Sequence, residues 1–283
     1  MKWLPPIPSG AAPEPSLAVS LLIPARNAGS ALEKTVQESH RYLASRYGRD
    51  FEIILIPNPP SAPGGDSPGD RSIEIAQQLS SRYPEVRVVV HSAPKGKGAG
   101  LRTGFLASRG RRIFFTDADL PYDLAFFDHA ARRLDEGYSL VTGNRRLPES
   151  VFRVPVSLLN LAYSRHRLGL AFNRVVRMLL PIRTTDTQAG IKAMSRELAL
   201  EAFSRQACPG FFFDLEFFLT VHHRPTAFRW IELPVTLHLN SEKSTVRILR
   251  ESLLAAFPKI DQGEDRHEIL DVLEGLWAEF AHY

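Results

Sequence analysis

The chain is poor in cysteine: Cys208 is the only one in 283 residues, so no internal disulfide can form. That fits a reducing compartment. Long apolar runs are missing too, and none approaches the ~18 residues that a membrane-spanning helix needs. The opening segment MKWLPPIPSGAAPEPS carries several prolines and no apolar core, so residues 1–16 read as a flexible arm and not as a signal peptide. There is no GxxxxGK[ST] loop, which excludes a Walker-type nucleotide site. Zinc-finger spacing, helix-turn-helix signals and RNP-type aromatic motifs are absent as well, and no nucleic-acid partner is expected. What remains is ordinary globular material, 44% apolar and 23% charged, enough for one large domain or one domain with an appendage.

The net charge of +4 matters less than its distribution. Eight arginines and a single acid, Glu149, lie between Arg145 and Arg183, whereas eight acids and two bases lie between Glu251 and Tyr283. A basic middle calls for a phosphate-bearing partner or an anionic membrane surface. The segment 165–180 mixes Leu168, Leu170, Phe172, Val175, Val176 and Leu179 with Arg174 and Arg177. Such a basic amphipathic helix either packs on a core or lies in a membrane interface.

Hydrophobic patterning predicts strands over 18–23, 51–56, 86–91, 112–116 and 139–142. Helices are predicted between them over 31–47, 72–82, 97–108 and 122–136. This alternation means βαβ units and a mainly parallel sheet, whose functional edge is the carboxyl ends of the strands. Beyond Asn144 the pattern predicts a helical stretch over 156–180, a short strand over 190–194, a buried helix over 211–221 and an edge strand over 230–237. Two closing helices follow, about 244–257 and 264–281.

The most informative stretch is KGKGAGLRTGFLASRGRRIFFTDADL, from Lys95 to Leu120. It joins a Gly/Lys turn, a helix and an apolar strand tipped by Asp117 and Asp119. Two acids at the tip of an apolar strand imply a positive partner. Hard oxygen donors suit Mg²⁺ or Mn²⁺, cations that often share their coordination sphere with phosphates. The turn offers Lys97 and Arg102 to phosphate, and glycines 96, 98 and 100 allow close backbone approach at a helix N-terminus.

With VSLLIPARN at the first strand, FTDADL at the fourth and DTQAGIKAM at 186–194, the order and spacing of motifs over about residues 18–250 resembles the inverting family-2 glycosyltransferases. The branch it is most similar to is the dolichyl- and polyprenyl-phosphate mannose and glucose synthases. FFFDLEFF followed by ELPVTLHLNSEKS is a weaker fifth match. The resemblance implies an α/β fold of the GT-A (nucleotide-diphospho-sugar transferase) type. This is a three-layer α/β/α sandwich with a mainly parallel sheet over 17–240, followed by a C-terminal helical appendage over 241–283. It implies nucleotide-sugar contacts from Pro24, Arg26, Asn27, Asn58, Lys97, Arg102, Asp117, Ala118 and Asp119. Metal ligation would fall to Asp119 and Asp117, with His238 as a further candidate and His222 or His223 as lesser ones. Arg145, Arg146, Arg165, Arg167 and Gln188 would hold the acceptor, and Asp186, Asp119 and Arg145 would carry catalysis.

Three departures from the family pattern stand out. The second strand ends in Pro57-Asn58-Pro59-Pro60 where relatives carry paired acids, leaving Asp66 and Asp70 as distant substitutes. Ala28 stands where a Glu often follows Asn27, and Pro121 where a Gln or Ser often lies near the metal. The implied function is metal-dependent, inverting transfer of a hexose from a UDP- or GDP-sugar to a polyprenyl phosphate or other phosphorylated lipid. The chain would sit in the cytoplasm with peripheral contact on the inner membrane face, and homo-oligomers stay open. A soluble or non-phosphate acceptor, or a non-catalytic nucleotide-sugar binder, is the alternative. Each motif also has a plainer reading. Asp119 or Asp186 would cap a helix, the Gly/Lys and Arg26-Asn27 turns would be ordinary connections, and the arginines would form a solvated face.

Overall fold

The computed structural model describes residues 4, 5, 7, 11–25, 28–57, 71–90, 96–180, 182–210, 213–224 and 226–238. Side chains at 161, 164–168, 171, 172, 175 and 179 fall outside the description. The expected closing helices and the 241–283 appendage also lie outside the described residues.

In chain order the elements are β1 (Leu17–Ala25), α1 (Ser30–Tyr47), β2 (Phe51–Pro57), α2 (Ser72–Arg82), β3 (Val86–Val88), α3 (Lys97–Leu106), β4 (Gly110–Thr116), α4 (Phe126–Asp135) and β5 (Leu140–Asn144). Then come β6 (Val151–Arg153), a 3-10 turn (Val156–Leu158), α5 (Leu159–Leu179), β7 (Ile191–Ser195), α6 (Arg196–Arg205), α7 (Phe213–His223), β8 (Trp230–Pro234) and β9 (Thr236–His238). Seven strands form one sheet in the order β3-β2-β1-β4-β7-β5-β8, and β6 pairs with β9 in a second, two-stranded sheet.

The predicted α/β/α sandwich follows from the strand sequences. Successive side chains of a strand face opposite sides of the sheet. In β1, Leu21 and Ile23 join the layer of α1, α2 and α4, while Leu22 joins the layer of α3, α5, α6 and α7. Ile53 and Leu55 against Ile54 and Ile56 repeat this split in β2, as does Phe114 against Ile113 and Phe115 in β4. Burial on both faces explains why these strands read as unbroken apolar runs.

β7 is antiparallel to both β4 and β5, the exception in an otherwise parallel sheet. This inversion places the site. Thr116, the last residue of β4, pairs with Ile191, the first of β7. Asn144, the last of β5, pairs with Pro234 at the end of β8. The carboxyl ends of β4, β5 and β8 and the loop entering β7 therefore share one edge.

Several boundaries differ from expectation. α4 starts at Phe126 because Tyr122 bridges to Leu237, which holds the preceding turn extended. The run 230–237 is two strands in two sheets, broken after Pro234, whose missing N–H suits the edge position of β8. β6 and α6 were not expected; α6 starts where Ser195 caps it, its hydroxyl accepting from the Leu198 amide. The described part of the arm is docked: the Leu4 and Ile7 amides donate to the Ala207 and Ser204 carbonyls at 2.9 and 3.1 Å. Among the described residues no helix is long and apolar enough to cross a membrane.

Candidate active site

The DAD turn leaves β4 at the functional edge. The Ala118 carbonyl accepts from Thr35 Oγ1 of α1 at 2.7 Å, which pins the turn to the neighbouring layer. Leu120 follows at φ 43°, the only non-glycine residue with positive φ among the described residues. Left-handed backbone costs an L-residue energy and persists where its surroundings impose it, often at functional sites. Here the Leu120 amide closes the turn onto the Asp117 carbonyl, and the Pro121 carbonyl accepts from the His238 amide at 2.7 Å.

Asp117 and Asp119 are differently placed. Asp117 Oδ1 accepts from Lys97 Nζ at 2.6 Å. Behind it sits Gly190: a Cβ there would come within 1.8 Å of Asp117 Oδ2, so only glycine leaves room for the carboxylate. Asp119 lies exposed at the tip of the turn. Burial works against the Lys97 charge, but Asp117 and Asp214 outweigh it and hold the ammonium above its ordinary pKa.

The rest of the Gly/Lys motif does something else. Gly98 and Ala99 amides donate to the Gly210 and Pro209 carbonyls at 3.0 and 2.9 Å, so the start of α3 is capped by protein backbone. A Cβ on Gly96 would lie 2.2 Å from the Pro209 oxygen, and one on Gly98 would lie 2.7 Å from Phe213 Cβ. These glycines serve close packing and not phosphate approach. Arg102 is likewise diverted: its buried guanidinium donates to the Gln206 and Pro5 carbonyls. Of the residues offered to phosphate, Lys97 alone reaches the DAD turn.

Asp186, at the start of the loop that ends in Gly190, is fully buried. Its Oδ2 accepts from the Arg145 amide at 2.9 Å and from Arg145 Nε at 2.7 Å, and its Oδ1 accepts from Arg145 Nη2 at 2.7 Å. Burial by itself would raise this carboxyl's pKa; the Arg145 guanidinium and amide more than reverse that and hold it at about 2. Arg146 points elsewhere. Its Nε and Nη1 are buried and have no hydrogen-bond partner among the described residues. Gly169 of α5 makes space for it, since a Cβ there would meet Arg146 Nη2 at 2.8 Å. The Gln188 side-chain nitrogen is also buried without a partner among the described residues.

Several residues that complete this edge were not singled out. Asn144 donates to Thr185 Oγ1 and Glu232 Oε1 at 2.9 and 2.7 Å and accepts from the Arg146 amide at 2.8 Å. Thr184 also donates to Glu232, whose carboxyl is raised by burial against the opposing pull of these donors. The Tyr122 hydroxyl accepts from the Gly190 amide at 3.2 Å, and burial pushes its pKa up to about 12. Lys192, entirely buried in β7, forms a 2.7 Å ion pair with Asp214 of α7. A lysine inside the apolar strand GIKAM was the legible signal for that pair.

Other candidates lie elsewhere or outside the described residues. Arg26, Asn27 and Asn58 lie outside the described residues, as do Asp66 and Asp70, while Pro24 is in β1 opposite Ile56. Arg165 and Arg167 lie on α5, with side chains outside the description. His222 and His223 are exposed at the far end of α7 from Asp214. His238 touches the DAD turn through its backbone, and among the described residues no three His, Cys, Asp or Glu side chains form a metal-ligand cluster. Two carboxylates on one turn, one of them exposed, still fit a hard divalent cation that takes its other ligands from phosphate oxygens and water.

A family model described as glycosyl transferase family 2 matches residues 20–201. Glycosyltransferase AglD of Haloferax volcanii is 30% identical over 228 residues, covering 80% of this chain and 34% of that protein. The dolichyl-phosphate beta-glucosyltransferase ALG5D of Trichomonas vaginalis is 25% identical, covering 75% of this chain and 63% of its own. The human dolichyl-phosphate beta-glucosyltransferase is 25% identical over 77% of this chain and 69% of its own. The chain thus spans about a third of AglD and under two thirds of ALG5D. Among solved structures, the mannosyltransferase PcManGT of Pyrobaculum calidifontis, in complex with GDP-Man and Mn²⁺, aligns with a TM-score of 0.53 at 19% identity. The alignment covers 95% of this chain and 73% of that one, and it shows a shared GT-A fold. The matched region runs from β1 through the DAD turn and the 186–190 loop into α6, and with that match the chain belongs to glycosyl transferase family 2.

Proposed function

We propose that this protein moves a hexose from a UDP- or GDP-sugar to a polyprenyl phosphate, with inversion at the anomeric carbon. One observation carries the choice of acceptor: Asp186, the carboxylate that would have to act as general base for an alcohol acceptor, is already engaged by Arg145. A fully buried carboxylate held at about 2 and accepting three hydrogen bonds does not take a proton from an alcohol near neutral pH. A phosphate acceptor arrives already ionised and needs no base. Beside it, the Nε and Nη1 of Arg146 and the amide of Gln188, unpartnered among the described residues, supply donors for its oxygens.

In this reading an acceptor phosphate oxygen attacks the anomeric carbon. The new C–O bond forms as the bond to the nucleoside diphosphate breaks, the electron pair leaves with the diphosphate, and no proton moves. Lys97 offsets diphosphate charge next to Asp117. Asp119, with Asp117 beside it, would hold Mg²⁺ or Mn²⁺, which would supply Lewis-acid stabilisation of the leaving group. Arg145, fixed by Asp186, orients the acceptor side. The apolar tail of such an acceptor would meet the segment of β6, the 3-10 turn and α5, along which Phe152, Val156, Leu159, Tyr163 and Met178, and also Arg174 and Arg177, are exposed. Contact with an anionic membrane surface through this segment completes the reading.

Glu232 favours the competing reading, a non-phosphate acceptor: its raised carboxyl lies at the same edge, and it would serve as the base an alcohol needs. The test offers purified protein labelled UDP-glucose and GDP-mannose with Mn²⁺, and either a short polyprenyl phosphate or the matching polyprenol. Product on the phosphate alone, lost by about 100-fold or more in Asp119→Ala and retained in Glu232→Gln, is the expected result. Equal transfer to the alcohol, abolished by Glu232→Gln, overturns the phosphate reading.

A further inference from the structure

We infer that Lys192, anchored by Asp214, is a positioning residue that sets the conformation of the 186–190 loop and thereby the placement of the Gln188 side chain. Its catalytic consequence rests on the glycosyl-transfer reading; the clamp itself does not.

The geometry is that of a clasp closed from one strand onto the loop that precedes it. Lys192 Nζ donates to the Ala189 carbonyl at 2.7 Å and reaches the Thr187 carbonyl at 3.5 Å. Those two carbonyls flank Gln188. Asp214 Oδ1, 2.7 Å away on the first turn of α7, supplies the counter-charge. The ammonium lies 5.2 Å from the centre of the Phe115 ring, whose residue is its partner across the β4–β7 ladder. Both charges are nearly or wholly withdrawn from water.

A buried ion pair is weak evidence for stability, because desolvation can outweigh the attraction, and an apolar pair of similar volume often serves folding as well. What an apolar pair cannot do is bind two loop carbonyls. The loop needs such fixing because both its ends carry function. Asp186 holds Arg145, and Gly190 backs Asp117. Two neutral ties help to hold it. Asn173 Oδ1 accepts from the Thr187 amide at 3.0 Å, and Tyr122 accepts from the Gly190 amide. Between those ties, among the described residues, only Lys192 reaches the 187–189 carbonyls. With them fixed, the buried Gln188 nitrogen, which has no protein partner among the described residues, keeps one direction.

The test uses Lys192→Met, Gln188→Ala, their combination, and the charge-free double variant Lys192→Met/Asp214→Leu. The double variant leaves no lone buried charge and carries the same test where the single variant fails to fold. In hydrogen exchange, loss of Lys192 should speed exchange of the 186–191 amides by about ten-fold while the β1 and β2 amides keep their protection. Unchanged exchange in that loop overturns the clamp. In turnover, Lys192→Met should lower kcat by about 100-fold, the scale of a small misplacement in a reacting complex, with the donor KM changed less than about three-fold. In the Gln188→Ala background the same change should cost less than about three-fold, since the two residues act as one unit. Costs that multiply fully would overturn the link to Gln188. A wild-type protein that transfers to no phosphate acceptor would refute the proposed function, and the exchange result would still decide the clamp.

Discussion

At the scale of single residues, Asp186 and Arg145 show how one contact settles a role. The DTQ sequence is compatible with a base, a cap or an orienting group. The structure narrows this by wrapping both oxygens of Asp186 with one arginine, side chain and backbone together. The sign of the linkage follows. An unfolded aspartate titrates near 3.8, and this one is held at about 2. Its stabilising contribution is fully present above the unfolded value and is lost as pH falls through about 2; the difference corresponds to roughly 2 kcal/mol. Arg145→Met removes the guanidinium and leaves the buried carboxylate only the backbone amide, which costs about 3–5 kcal/mol at pH 7; burial then raises its pKa, so protonation relieves the cost and the deficit shrinks at pH 3. Urea unfolding of both proteins at pH 7 and pH 3 measures this. A variant as stable as wild type at pH 7 contradicts the assignment.

At the scale of elements, α3 is where expectation and structure part most instructively. A Gly/Lys turn opening a helix is a reasonable phosphate cradle on chemistry alone. Its amides instead cap onto the 209–210 backbone, and its glycines let that segment and α7 come close. Gly98→Ala places a methyl 2.6 Å from Gln206 Nε2 and 2.8 Å from the Cys208 carbonyl. The expected result is a loss of about 1–3 kcal/mol in thermal unfolding with nucleotide-sugar affinity little changed in the folded protein. A glycine cradling phosphate would give the reverse, weak binding in a protein of normal stability. The inverted direction of β7 is the second lesson. Its apolar pattern marked it as a strand, but a strand's sequence does not carry its direction. Only antiparallel insertion between β4 and β5 brings Gly190 against Asp117 and Asp186 against Arg145.

At the scale of the whole molecule, charge and apolar exposure coincide. The arginine-rich middle of the sequence becomes β6, the 3-10 turn and α5, and most of the large exposed hydrophobic side chains of the described residues cluster there. Val156 is 85% exposed and Met178 70%. In sedimentation with vesicles, the protein should bind those containing anionic lipid and lose binding at high salt, because screening removes the arginine contribution. Val156→Asp with Met178→Asp should reduce binding about ten-fold or more while leaving the melting temperature near wild type. Equal binding by that variant would move the lipid-facing surface elsewhere.

The sequence alone determined the βαβ alternation and the mainly parallel sheet, because strands buried on two faces and helices buried on one leave periodicities that a single chain cannot disguise. It also determined the family-2 resemblance, carried by motifs such as FTDADL and DTQAGIKAM. An acid in so apolar a helix as α7 needs a partner, and the structure supplies Lys192 for Asp214. The tertiary structure decided which motif residues meet. Lys97 and Arg102 share one helix, yet one reaches Asp117 while the other is taken up by backbone carbonyls. Arg145 and Arg146 are neighbours, yet one is locked to a carboxylate and the other keeps two buried nitrogens without a partner among the described residues. Residue type sets what a side chain can do. Direction, register and the groups already competing for it are properties of the packed chain, and they set what it does.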